Sequence, residues 1–262
     1  MPDAKPLAGL TVVVTRPQAQ AAPLAQALRE AGAVVIVYPV LEIAPLVASI
    51  APDQLARAAA IIFVSINAVE HGLAVLRNAG PISAGTSIMA IGNATATALR
   101  NAAIERVVSP QQSFDSEGLL ALPQLQQVRG QLIILIRGQS ATGGRTLIEQ
   151  TLTDRGATVT ALECYERRSL QPTPAQRDAL LAGMAQTNQS AVMALSVETL
   201  DSLLDSIADQ HATLKRVPLL VPHPRVASAA TARGFTRVFE VPMSAPELIP
   251  ALTALKPQLV RH

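Results

Sequence analysis

The chain has 262 residues, 49% of them hydrophobic, and a formal net charge of +2. That length exceeds the usual single domain, so two domains are expected, and no apolar run approaches the roughly 20 residues of a membrane-spanning helix. Apart from the pairs Arg167-Arg168 and Lys215-Arg216 its cations stand singly, without a basic block or interleaved aromatics, which argues against a nucleic-acid surface. Met1 to Leu10 lacks a basic segment followed by an apolar one, and the lone cysteine, Cys164, cannot form an internal disulfide, so a cytoplasmic protein is expected.

In chain order, Leu10 to Thr15 reads as a strand, Arg16-Pro17 as a turn, Ala21 to Glu30 as a helix stopped at Gly32, and Ala33 to Tyr38 as a second strand. From Val40 to Asp53 there is no clean period, and Pro45 and Pro52 mark a linker that resists helix. Ile61 to Val64 is a strand, Ser65-Ile66-Asn67 a turn able to cap, and Ala68 to Arg77 a helix. Ile88 to Ile91 is another strand, followed by the turn Gly92-Asn93-Ala94-Thr95, the helix Ala96 to Asn101, and Arg106-Val107-Val108. Ser116 to Leu120 can start a helix, with Pro123 following.

Leu132 to Ile136 is a continuous β-branched run, the signature of a strand buried on both faces. Arg137 and Gly138 end it, Gly143-Gly144 turns the chain, Thr146 to Thr153 is helix-spaced, and Gly156 stops that helix. A helix N-terminus with Arg137 and Arg145 beside it is suited to an anion. Ala157 to Leu162 is the next strand, leaving through the polar stretch Glu163-Cys164-Tyr165-Glu166-Arg167-Arg168, and Pro172 and Pro174 mark a second crossing. The pattern then recurs: an offset of 131 carries Ser65 to Ser196, Leu73 to Leu204, Ile88 to Leu219, Ala96 to Ala227 and Val107 to Val238. Strands alternating with helices, each strand short and apolar, define an α/β protein with parallel sheets. Ligands bind such sheets at the carboxyl ends of the strands, where Arg16, Ser65, Gly92 to Thr95, Arg137, Ser196 and His223 to Arg225 fall.

Familiar chemistry is missing. His71, His211, His223 and His262 show no ligand spacing with Cys164, so no metal site is expected. The Gly138 to Thr146 loop lacks the lysine and hydroxyl of a phosphate loop, no dinucleotide fingerprint follows the first strand, and Ser65 and Ser196 lack the glycines of a nucleophile elbow. A cofactor-free site is expected. By default Ser65, Thr95 and Ser196 are helix caps, Arg137 and Arg145 are turn arginines or anion ligands, and Cys164 is a packed small side chain. Tyr165 is either a packing tyrosine with a wet hydroxyl or a proton donor, since a phenol keeps its proton at neutral pH.

Val14-Thr15-Arg16-Pro17, Ile91-Gly92-Asn93-Ala94-Thr95-Ala96, Ser116-Glu117-Gly118-Leu119-Leu120, Arg137-Gly138 with Gly143-Gly144-Arg145, and Glu163-Cys164-Tyr165-Glu166-Arg167 together resemble the uroporphyrinogen-III synthase family. The likeness runs from about Leu10 to Leu252; Val197-Glu198-Thr199 and His223-Pro224-Arg225 depart from the family pattern. It implies two doubly wound, flavodoxin-like parallel-sheet lobes: residues 1–39 with 172–262, and 53–165, joined by extended linkers 40–52 and 166–171. It also implies cofactor-free closure of the linear tetrapyrrole hydroxymethylbilane to uroporphyrinogen III, ring D being inverted through a spiro intermediate in an interlobe cleft. By that resemblance Tyr165 assists loss of the substrate hydroxyl as a general acid. Arg16, Ser65, Asn67, Thr95, Arg137, Arg145, Ser196 and Arg225 would hold the substrate. The implied protein is a monomer without nucleic-acid, membrane or metal partners, in transient contact with the preceding pathway enzyme. The rival reading is a cytosolic two-lobed small-molecule binding or sensor protein without catalysis.

Overall fold

Every strand called above forms, because each is a short apolar run that one helix-bearing layer can cover on either side. The structure is a computed structural model and describes residues 5–139, 146–185, 187–207 and 210–260. Its elements are, in chain order, β1 (Leu10–Val14), α1 (Gln18–Glu30), β2 (Val34–Val37), β3 (Leu41–Pro45), α2 (Pro52–Arg57), β4 (Ala58–Phe63), α3 (Ile66–Ala79) and β5 (Ser87–Ala90). Next come α4 (Asn93–Asn101), β6 (Val107–Val108), α5 (Ser116–Leu120), β7 (Leu132–Gly138), α6 (Leu147–Asp154), β8 (Thr158–Ser169) and α7 (Pro174–Ala185). The chain closes with β9 (Gln189–Met193), α8 (Val197–Ser206), α9 (His211–Lys215), β10 (Leu219–Val221), α10 (Pro224–Ala232), β11 (Val238–Glu240) and α11 (Ala245–Leu255).

The chain divides into two units, Met1–Glu42 with Arg168–His262, and Ile43–Arg167. In the first unit the strand order is β11-β10-β9-β1-β2, with parallel pairing throughout. β1 is buried on both faces: Val13 packs with Val192, Leu200 and Leu203, while Val12 and Val14 pack with Leu24, Leu28 and Leu248. The strand order reverses at β1, so the crevice between the carboxyl ends of β1 and β9 is this sheet's topological switch point.

In the second unit the order is β3-β8-β7-β4-β5-β6. Ile61, Phe63, Ile134 and Ile136 face Val69, Leu73 and Leu76 of α3 and Leu99 of α4. Ile62, Ile133 and Leu135 face Leu119 of α5 and Ile148 and Leu152 of α6. Here the reversal falls at β4, between β5 and β7, so the switch point lies between β4 and β7. Three strands run to one side before the reversal, which departs from the flavodoxin-like order expected of both sheets.

The stretches expected as extended linkers, 40–52 and 166–171, both contribute residues to strands, β3 and the end of β8. Val40 accepts from Leu170 N and Cys164 accepts from Leu46 N, so partner numbers fall as β3 rises: β3 runs antiparallel to β8 and the sheet is mixed. β8 continues past Leu162 to Ser169 because β3 supplies ladder partners that no local pattern reveals. Nor do the prolines prevent helix. Pro52 and Pro174 each open a helix, where the missing N–H has no partner to lose.

Gly72 sets how closely α3 lies on β7. A Cβ there would stand 2.4 Å from Ile136 Cγ2, and Ile136 is fully buried. Gly72→Ala should therefore lose about 1–2 kcal/mol of stability, the overpacking cost exceeding the helix-propensity gain of about 1 kcal/mol. Urea unfolding of the variant measures it, and a stabilised variant would show that α3 shifts freely.

Cys164, 1% exposed beside that contact, has its thiol pushed up to about 11 by burial. Unfolded, a thiol ionises near pH 8.5. Between these values the unfolded chain holds fewer protons than the folded one, so stability present at neutral pH falls as pH rises from about 8.5 to 11, by roughly 3 kcal/mol in all. Denaturant midpoints at several pH values should show that slope reduced in Cys164→Ala; equal slopes in both proteins would overturn the assignment.

Candidate functional site

The switch point of the second unit gathers a compact group of polar side chains. Ser65, extended at φ −167°, follows β4 by two residues and caps α3, its Oγ accepting the Ala68 N–H at 3.0 Å. The same Oγ lies 2.9 Å from the hydroxyl of Tyr165. How Tyr165 arrives there depends on a bulge: Arg137 is opposite Glu163 but Gly138 is opposite Tyr165, so β8 carries one extra residue. Strict alternation would send Cys164 and Tyr165 to opposite faces; with the bulge both join the core under α3.

Tyr165 is 3% exposed, and its ring lies on Gly138. A Cβ at Gly138 would stand 2.6 Å from Tyr165 Cε2, so no larger residue fits beneath the ring as placed. His71, in the second turn of α3, completes the seat with its ring centroid 5.7 Å from that of Tyr165, tilted by 32°. Sequence inspection missed both Gly138 as a seat and His71 as a neighbour. Neither carries a local signal, because each meets Tyr165 only through strand register.

The other expected residues are distributed as follows. Asn67 is buried in the first turn of α3. Thr95 is buried at the third position of α4, whose cap is Gly92, so it is not the helix cap taken as its default. Arg137 is buried and committed to two carboxylates, Nη1 donating to Glu149 at 3.1 Å and Nη2 to Glu163 at 3.0 Å. That pairing offsets its charge, while its buried Nε, like that of Arg16, has no partner among the described residues. Arg145 and the Gly143-Gly144 turn lie outside the described residues.

In the first unit, Arg16 and Ser196 stand at the ends of β1 and β9, on either side of that switch point. Ser196 caps α8, its Oγ accepting from Thr199 N at 3.1 Å. Arg16 Nη2 donates to Met243 O at 2.8 Å, while its buried Nε has no partner among the described residues. Burial lowers the pKa of Arg16. Arg225 is exposed in the first turn of α10, after the extended cap residue His223.

Among the described residues no cluster of three or more histidine, cysteine or acidic side chains could hold a metal ion, and no helix is long and apolar enough to cross a membrane. The arrangement defines an α/β protein that presents hydroxyls, helix N-termini and single arginines at its switch points, a donor set suited to a polyanionic small molecule. The chain belongs to the uroporphyrinogen-III synthase family: the family model described as Uroporphyrinogen-III synthase HemD matches residues 22–246.

Relatives agree. The uroporphyrinogen-III synthase of Escherichia coli K12 is 47% identical over 78 residues, 30% of each chain. That of Salmonella typhimurium LT2 is 32% identical over 170 residues, 60% of this chain and 65% of its own, and that of Synechococcus elongatus is 35% identical over 186 residues, 68% and 67%. The alignments thus span less than two thirds of the first two relatives. In fold, the chain is similar to uroporphyrinogen III synthase from the extremely thermophilic bacterium Thermus thermophilus, with TM-score 0.58, 21% identity, and 95% of this chain and 98% of the other covered. The Helicobacter pylori 26695 structure gives TM-score 0.63 at 14% identity, covering 95% and 100%.

Proposed function

We propose that this protein closes hydroxymethylbilane to uroporphyrinogen III, inverting ring D through a spiro intermediate, as a cofactor-free step of tetrapyrrole and heme biosynthesis. The observation that carries the reading is the hydroxyl pair of Tyr165 and Ser65 at the β4/β7 switch point, in a chain of this family. Tyr165 donates its proton to the departing hydroxyl, which leaves as water. Inversion is a matter of holding one conformer against another, so orientation by the protein supplies most of the selectivity.

The substrate's carboxylates are held by the N-terminal turns of α3, α4, α8 and α10, with the hydroxyls of Thr95 and Ser196, the amide of Asn67, and Arg16 and Arg225, while Ser65, the further ligand expected from the sequence, is engaged with Tyr165. Arg145 extends that set. Arg16 is favoured over Arg137 because Arg137 already has its counter-charges. The lobes assigned are 1–39 with 172–262 and 53–165, linked through 40–52 and 166–171; the two compact units, 1–42 with 168–262 and 43–167, support this reading. The shared capping of Ser65 and Ser196, 131 residues apart, supports an internal repeat. The enzyme works as a cytoplasmic monomer. Incubation with freshly generated hydroxymethylbilane, oxidation and resolution of the uroporphyrin isomers should give isomer III; isomer I alone would overturn the proposal and return the sensor reading.

A further inference from the structure

Ser65 occupies two hydrogen bonds that share one atom. Its Oγ accepts from Ala68 N–H at 3.0 Å and lies 2.9 Å from the Tyr165 oxygen. A serine hydroxyl has one hydrogen and two lone pairs, so after accepting from Ala68 it can still either donate to Tyr165 or accept from it. A phenol that must give its own hydrogen to a leaving oxygen can only accept from Ser65. All the bonds then run one way: Ala68 N–H to Ser65 Oγ, Ser65 O–H to the Tyr165 oxygen, Tyr165 O–H to the departing hydroxyl. Bonds aligned in this sense strengthen one another, and the first donor belongs to the positive end of the 14-residue helix α3.

We infer that Ser65 is a positioning residue for Tyr165, a relay that couples the N-terminus of α3 to the phenol and stabilises the phenolate left after proton donation. The inference rests on the proposed reaction and deepens it, moving Ser65 from substrate ligand to support of the acid. In the step the carbon–oxygen bond of the hydroxymethyl group breaks with its electron pair going to oxygen. That oxygen takes the Tyr165 proton and leaves as water, the substrate keeps the positive charge, and Tyr165 becomes a phenolate. Ring closure later expels one proton from the substrate carbon, and this proton restores the phenol. No oxidant, reductant or cofactor is required. Two further contacts fit the role: Gly138 fixes the ring from below, and the β8 bulge delivers the hydroxyl to Ser65.

The test separates relay from cap. Glycine serves as an N-cap almost as well as serine but has no hydroxyl, so Ser65→Gly should unfold near the wild-type temperature while its kcat falls roughly 10- to 100-fold, the worth of one hydrogen bond to a charged group. KM for hydroxymethylbilane should change little, because a substrate ligand would move KM and a relay moves kcat. Ser65→Thr should restore kcat. In a Tyr165→Phe background, Ser65→Gly should cost nothing further. Wild-type kcat in Ser65→Gly, or losses that multiply in the double variant, would overturn the relay while leaving the reaction assigned. Wild-type protein yielding only isomer I would overturn the reaction and the relay together.

Discussion

Replacing Tyr165 by phenylalanine is expected to lower turnover by roughly 10- to 1000-fold, the usual contribution of a general acid. The ring keeps its place on Gly138 and beside His71, because Cε2 and Cζ, the ring atoms nearest Gly138, and the ring facing His71 are retained. Only the bond to Ser65 is lost, and Ser65 still caps α3 through Ala68. The stability cost should therefore stay near 1 kcal/mol. Loss toward the lower end of the range would mean that water or a substrate carboxylate replaces the phenol as donor. The residual product should remain largely isomer III, since the choice of isomer depends on how the substrate is held rather than on one proton. A variant with unchanged turnover and normal thermal unfolding would make Tyr165 a packing residue.

Arg137→Met should be the most destabilising of the single changes considered, by about 3 kcal/mol or more. The Arg137 side chain is 10% exposed, and its partners Glu149 and Glu163 are 13% and 32% exposed. Methionine fills much of the arginine's volume but leaves two carboxylates facing a position that no longer holds a cation. Of the two, Glu149 is the more costly, because solvent screens Glu163 more. Adding Glu149→Gln and Glu163→Gln removes both carboxylate charges that faced the guanidinium and should recover a large part of the loss. Denaturant unfolding of the single and triple variants decides the matter. A single-variant cost under about 1 kcal/mol would show that the pairs behave as surface ion pairs. KM of the folded Arg137→Met protein should be close to wild type; a large rise in KM at unchanged stability would restore Arg137 to the substrate-binding set.

The residues around Tyr165 show where sequence reading stopped. Ser65 as a cap is legible from one residue type between an apolar strand and a helical period, and Ser196 repeats it. Gly32 and Gly156 as helix stops are legible too, and both adopt positive φ, 97° and 87°. By contrast, the neighbours of Arg137 are 12 and 26 residues away, and nothing local to Leu132–Arg137 announces them. The helix α7 hides in an alanine-rich stretch whose opening proline reads equally as a linker.

The sequence by itself determined the α/β class, the alternation of strands and helices, most caps and stops, and the family. Each of these is written in residues a few positions apart, where hydrophobic period, cap chemistry and glycine conformation act. Only the tertiary structure decided the order of strands in each sheet, the antiparallel β3 beside β8, the carboxylates on Arg137 and the extra residue in β8 that turns Tyr165 toward Ser65. These are choices of register and partner between segments far apart in the chain. A shift of one residue between β7 and β8 would leave every local propensity satisfied and send Tyr165 to the opposite face of the sheet.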